Sequence, residues 1–251
     1  SMSGEQAALA ANFDSMVNNM VDANGAAIYP FSMIITTSDM TKDTIQKNYI
    51  DKLTSTKAEF DFAQFKADFK SAIYVGTNGS AAERMYEAVN YVLVNESSFY
   101  TENRLSIIVN VSDEPEQSTS KSTAQWAQTF QNSKIMDPGA VRVFNIVEEI
   151  NDKRYVDMAA ITGGKVYNIR DPFDGIMNDI SITVKNLVSS FRLKTGRVIN
   201  DSTLVVKLDG RTLLSSEYTY ASNSLRLVTP PAEGAVIDVS YDYSPIYVYL
   251  P

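Results

Sequence analysis

Ser112, Asp113 and Glu114 end an apolar run, Leu105 to Val111, and are followed by a polar loop from Pro115 to Ser122. In open α/β sheets ligands bind beyond the carboxyl ends of the strands, so an acid at this place is a site candidate. The neighbouring Glu114 and Glu116 raise the question of a paired-carboxylate acid/base site. Closely spaced acids in a polar loop are read instead as solvated side chains, and catalysis is not expected. A second loop, Gly76-Thr77-Asn78, stands before an apolar-faced helix, where a hydroxyl serves equally as a ligand or as a loop hydrogen-bonding group. With no His and no Cys, thiolate nucleophiles, the usual zinc ligands and a Ser-His-Asp triad are excluded. Any metal site must use oxygen donors, which suit Mg²⁺, Ca²⁺ or Mn²⁺. Thr162-Gly163-Gly164-Lys165 lacks the upstream glycine and the downstream Ser/Thr of a phosphate-binding loop.

The elements that must position these residues alternate between strand and helix. Leu105 to Val111 is too short and too β-branched for a buried helix, and reads as a central strand covered on both faces. Ser3 to Ala23 carries one apolar helical face, with Ser3 or Gly4 as its cap. A strand over Ile28 to Thr37 follows the Asn24-Gly25 turn signal, and Phe62, Phe65 and Phe69 mark a core-facing helix. Ser80 to Asn95 is read as a helix opened by a Ser80/Glu83 capping box. Trp126 and Phe130 anchor the next helix, Val141 to Val147 is a second buried strand, and Tyr155 to Ala160 is helical. Lys165 to Ile169 is a short strand, and Ile176 to Phe191 gives one face of a closing helix. After Phe191 the pattern becomes alternating strands with Asp209-Gly210 and Pro230 to Gly234 turns, which predicts a small antiparallel unit. At about 60 residues such a unit is marginal alone.

In their order along the chain, several pieces together resemble a bacterial von Willebrand factor A domain. They are Ile34 to Asp39, Gly76 to Glu83, Val111 to Glu114, Arg154-Tyr155 and Thr162 to Tyr167. The resemblance covers residues 1–190 and implies a Rossmann-like three-layer α/β sandwich with a mostly parallel central sheet. Residues 191–251 would add the antiparallel, sandwich-like β unit. Under the same resemblance Ser1-Met2-Ser3-Gly4-Glu5 looks like the tail of the family's Asp-x-Ser-x-Ser motif. The first strand and the start of that motif then precede Ser1, and an open slot or a substitute strand is expected between the strands containing Ile35 and Val109. A bland alternative for Ser1-Met2 is an expression scar. The implied metal donors of a MIDAS-type site are Ser1, Thr77 and Asp113, with Mg²⁺, Mn²⁺ or Ca²⁺ as the ion.

The function this implies is adhesion or protein–protein interaction, with the ion binding a carboxylate of a protein or surface ligand. A metal-free scaffold domain is the alternative, and a metal-assisted hydrolase a more remote one. Lys and Arg total 22 against 30 Asp and Glu, a net charge of −8, so the phosphate-neutralising surface of a nucleic-acid binder is not expected. No apolar run is long enough to span a membrane, and the start of the chain lacks the pattern of a signal peptide. A secreted, periplasmic or cell-surface place in a bacterium is the expectation drawn from the resemblance.

Overall fold

In the computed structural model, the described residues are 2–21, 27–28, 31, 33–38, 40, 47–50, 61–76, 82–95, 105–133, 140–193, 198–221, 224–232 and 234–244. The architecture is α/β, and its centre is a parallel sheet of three strands. Among the described residues ten further strands form small antiparallel sheets, with β1 (Met33–Thr36) and β2 (Lys47–Ile50) the first pair. The parallel strands are β3 (Ser106–Ser112), β4 (Val141–Val147) and β5 (Val166–Asn168), in that spatial order. Val109 of β3 stands beside Phe144 of β4, and Val111 beside Ile146. Parallel strands need crossover connections, and two helices provide them: α4 (Thr123–Asn132) between β3 and β4, and α5 (Lys153–Thr162) between β4 and β5.

Alternation of side chains along β3 and β4 builds two cores. On one face Phe144 and Ile146 join three helices: α1 (Ser3–Val17), α2 (Phe62–Ala72) and α6 (Phe173–Val188). On the other face Ile108, Val143 and Val147 meet α3 (Met85–Asn95), α4 and α5 through Tyr86, Trp126, Phe130, Tyr155 and Met158. Both faces are therefore covered, most completely along β4, where Val143, Phe144, Ile146 and Val147 are fully buried. Two buried polar residues, Asn110 and Asn145, meet across the strands. Asn110 Nδ2 donates to Asn145 Oδ1 at 2.8 Å, and Asn145 Nδ2 donates to the Tyr155 carbonyl at 3.0 Å. Asn145→Ala strands two buried partners, so urea denaturation is expected to show a loss of about 1–3 kcal/mol.

The helix boundaries have local causes. α4 opens on a capping box in which Ser122 and Gln125 exchange side-chain and backbone bonds. α5 is capped by Asp152 and stopped by Gly163, whose φ of 69° is the left-handed conformation that glycine adopts freely. The first helix has no side-chain cap: Met2, not Ser3 or Gly4, holds the cap position.

Two expectations are corrected here. The strand expected from Ile28 begins only at Met33, and the helix expected from Ser80 begins at Met85. Ser80 lies outside the described residues, and the Glu83 carboxylate accepts a hydrogen bond from the Ser38 hydroxyl.

β1 and β3 belong to different sheets, and no described strand pairs with β3 on the side away from β4. Among the described strands the central sheet is the parallel one expected, in the order β3-β4-β5. Met33 and Ile35 nevertheless pack on the same core as Ile107, Val109 and Val111.

From Ser190 onward the described residues form three antiparallel sheets. β6 (Ser190–Arg192) pairs with β11 (Ser224–Leu227), which pairs with β10 (Tyr218–Ala221). β8 (Val205–Leu208) lies between β9 (Arg211–Thr212) and β12 (Ile237–Ser240), and β7 (Val198–Ile199) pairs with β13 (Tyr243–Ser244). Asp209 and Gly210 both have positive φ, 50° and 80°, the geometry of the tight hairpin turn that the Asp-Gly pair signals. Leu193, Ile199, Val206, Leu213, Leu225 and Leu227 make a core of their own.

Candidate functional site

The carboxyl end of β3 opens into a loop whose backbone is held from several sides. Ser112 Oγ accepts from the Glu114 N–H and donates to the Glu114 carbonyl, each at 3.0 Å, which folds the chain back around Asp113. The Tyr155 hydroxyl donates to the same carbonyl at 2.9 Å, bringing α5 to the loop. Asp113 is half-buried at the turn, directly beyond the last β3 residue.

Three further segments reach this rim. The Gln117 N–H donates to the Glu83 carbonyl at 2.8 Å and the Arg84 N–H to the Ser38 carbonyl at 3.3 Å, so residues 83–84 bridge the ends of β3 and β1. Gln6 Nε2 of α1 donates to the Gly76 carbonyl at 2.9 Å. The residue before Thr77 is thus anchored to the first helix. Thr77 and Ser1 themselves lie outside the described residues, so of the three donors implied by the resemblance only Asp113 is placed.

Glu116 corrects the reading of its loop as a run of solvated acids. Its side chain is fully buried and accepts bonds from the Ser118 N–H at 3.0 Å, the Ser118 hydroxyl and the Tyr86 N–H at 3.3 Å. Arg154 completes the set at 3.1 Å and also donates to the Ser118 carbonyl. Burial pushes the Glu116 carboxyl above the usual carboxylate range, against the pull of Ser118, Arg154 and the backbone donors. The Tyr86 and Tyr155 hydroxyls are pushed up by the same cause and stay neutral donors. The Ser118 hydroxyl accepts from the Glu87 N–H at 3.1 Å. Glu116 and Ser118 together therefore supply acceptors for two of the free N–H groups at the start of α3. This clamp joins β3, α3 and α5.

Such an arrangement fixes the loop against α3 and α5. Glu116 is closed off from solvent, and Glu83 and Glu87 are engaged by Ser38, Arg84 and Ser120. Among the described residues no three acidic side chains converge on a common point. The donor chemistry at the rim, one carboxylate with hydroxyls and carbonyls, matches a hard divalent ion in kind. The described residues alone supply too few donors to enclose one.

No protein-family model matches the chain, and no curated protein matches it. Among solved structures it is similar to a von Willebrand factor type A protein from Catenulispora acidiphila, with 14% sequence identity and a TM-score of 0.48. The match covers 97% of this chain and 62% of that one, so this chain spans less than two thirds of the length of the structure it is similar to.

Proposed function

We propose that this protein is an interaction module that binds a carboxylate of a partner protein or surface ligand through a divalent ion, Mg²⁺ first, at the rim beyond β3. It works by binding and not by catalysis, in a protein of the bacterial envelope or exterior. The observation that carries the reading is the position of Asp113: half-buried, at the carboxyl end of a parallel strand, on a loop fixed by Ser112 and Tyr155. In this reading Asp113, Thr77 and Ser1 hold the ion, whose charge supplies the local attraction for an anion that an otherwise acidic chain lacks. The part played by Glu116 and Arg154 is to keep the Asp113 loop and the start of α3 in register.

A second reading, a scaffold domain that binds its partner without an ion, is favoured by one observation. Three acids near the rim, Glu83, Glu87 and Glu116, are engaged in structural bonds. Partner capture in the parent protein separates the two. Asp113→Ala and saturating chelator are each expected to reduce capture by at least about tenfold, equivalent to about 1.4 kcal/mol. Capture that persists under chelator leaves the scaffold reading in place.

A further inference from the structure

The buried face of α1 is apolar except at one place. Leu9, Ala10, Phe13 and Val17 line it, and Gln6 stands in the first turn of the same face with only 7% of its surface exposed. The Gln6 N–H donates to the Met2 carbonyl at 3.0 Å, as the helix requires. Its side chain reaches out of the helix: Nε2 donates to the Gly76 carbonyl at 2.9 Å, across 70 positions of sequence. A buried side-chain amide is costly without hydrogen bonds, so a glutamine on this face, where leucine is the ordinary choice, asks what its bond is for.

The bond is not needed to satisfy Gly76. That residue is exposed, and water can meet its carbonyl. What the bond fixes is direction. Gly76 has a φ of 84°, and a Cβ added to it would meet nothing within 4 Å, so the glycine serves a left-handed backbone and not a close approach. α2 has ended at Ala72, and the Val75 N–H donates to the Ile73 carbonyl at 2.9 Å as the chain turns toward Gly76. A left-handed glycine with no restraint is a swivel. One peptide plane carries both the Gly76 carbonyl and the Thr77 N–H, so pinning the first sets the direction of the second. Further along, the Glu83 carbonyl accepts from the Gln117 N–H of the Asp113 loop. The stretch that contains Thr77 is therefore tied to α1 at one end and to the loop beyond β3 at the other.

We propose that Gln6 is a positioning residue of the rim, which holds the Gly76–Thr77 peptide so that the Thr77 hydroxyl serves the same divalent ion as Asp113. The inference rests on the reading of the rim as an ion site. Gln6 touches no ion; it acts through the backbone it pins, as the hydrogen-bonded partners of metal ligands do. Glutamine combines the reach with a neutral donor. Leucine has no donor, and a glutamate at neutral pH offers acceptors only.

Gln6→Leu and Gln6→Glu test this in the intact parent protein, with Mn²⁺ as the probe. Leucine suits an apolar helical face, so the metal-free Gln6→Leu variant is expected to unfold at the wild-type midpoint. Mn²⁺ affinity is expected to fall about tenfold in both variants. In the metal-free protein the residual dipolar coupling of the Thr77 amide, which reports a fixed N–H direction, collapses toward zero in both, while the couplings of α1 keep their values. A packing role alone would lower the unfolding midpoint and leave that coupling in place. Wild-type protein that takes up no Mn²⁺ removes the ion reading and this extension with it. Equal Mn²⁺ affinity in wild type and both variants, or a Thr77 coupling that neither changes, overturns the assignment of Gln6 and leaves the ion reading standing. A Thr77 coupling already near zero in the wild type, which needs no variant to fold, does the same.

Discussion

Arg154→Ala is expected to remove about 3–5 kcal/mol of stability at neutral pH, because it leaves the fully buried Glu116 carboxylate without its counter-charge. The loss should shrink as the pH falls. Burial already holds the Glu116 carboxyl above its ordinary range, and without Arg154 it rises further. The folded protein then binds a proton more tightly than the unfolded chain does. Its cost is full above the folded-state value and is relieved as the pH drops through that value toward the ordinary carboxylate range, about pH 4.3. Asp179, bonded to Lys165, and Glu217, held down to about 2 by Arg211, run the other way and lose stability only below that range. Urea denaturation of the variant between pH 5 and 8 separates the two behaviours. Adding Glu116→Gln to the Arg154→Ala variant is expected to restore part of the loss and to flatten its pH dependence. A loss under about 1 kcal/mol, the same at every pH, would mean that the pair is solvated and that the clamp does not exist.

Gly164→Ala is expected to cost about 4–5 kcal/mol or to prevent folding, a size reserved for a few named mechanisms. A Cβ on Gly164 would stand 1.8 Å from the Val143 carbonyl oxygen and 2.6 Å from its carbon. Neither side can yield. The Gly164 N–H is bonded to the Ala159 carbonyl at 2.8 Å, and the Val143 N–H to Thr162 Oγ1 at 3.1 Å. The adjacent Gly163→Ala meets only the flexible Arg142 side chain, nearest at 3.3 Å, and strains a φ of 69°. That change should cost about 1 kcal/mol. Chemical denaturation of the two variants side by side tests the close approach of the α5–β5 turn to β4, and equal losses would contradict it.

The buried strands were legible because their chemistry is local. Val141 to Val147 has the β-branched and aromatic content of a strand covered on both faces, and the strand occupies those residues. β3 differs from its expected span by one residue at each end. Asp113 was legible as a strand-end acid for the same reason. Glu116 was not, since three acids within four residues look alike until a cation arrives from elsewhere, and Arg154 lies 38 positions further along. No spacing rule joins them. A faint signal was present: an Arg at the second position of a helix capped by Asp152 has its charge near the positive helix end, an unfavourable place unless an anion waits there. The start of α3 at Met85 was hidden for a similar reason, because acceptors from residues 116 and 118, distant in sequence, meet its first N–H groups. Ser1 and Thr77 rested on resemblance alone and lie outside the described residues.

The central claim, an ion held beyond β3 by Asp113, is tested most directly by titrating the intact parent protein with Mn²⁺ as a paramagnetic stand-in for Mg²⁺, beside the Asp113→Ala variant. The account predicts one bound ion per chain, displaced by excess Mg²⁺, and an affinity lowered at least about tenfold by the substitution, with unfolding of the β unit unchanged. Mn²⁺ binding that is absent, or that is the same in both proteins, would contradict it.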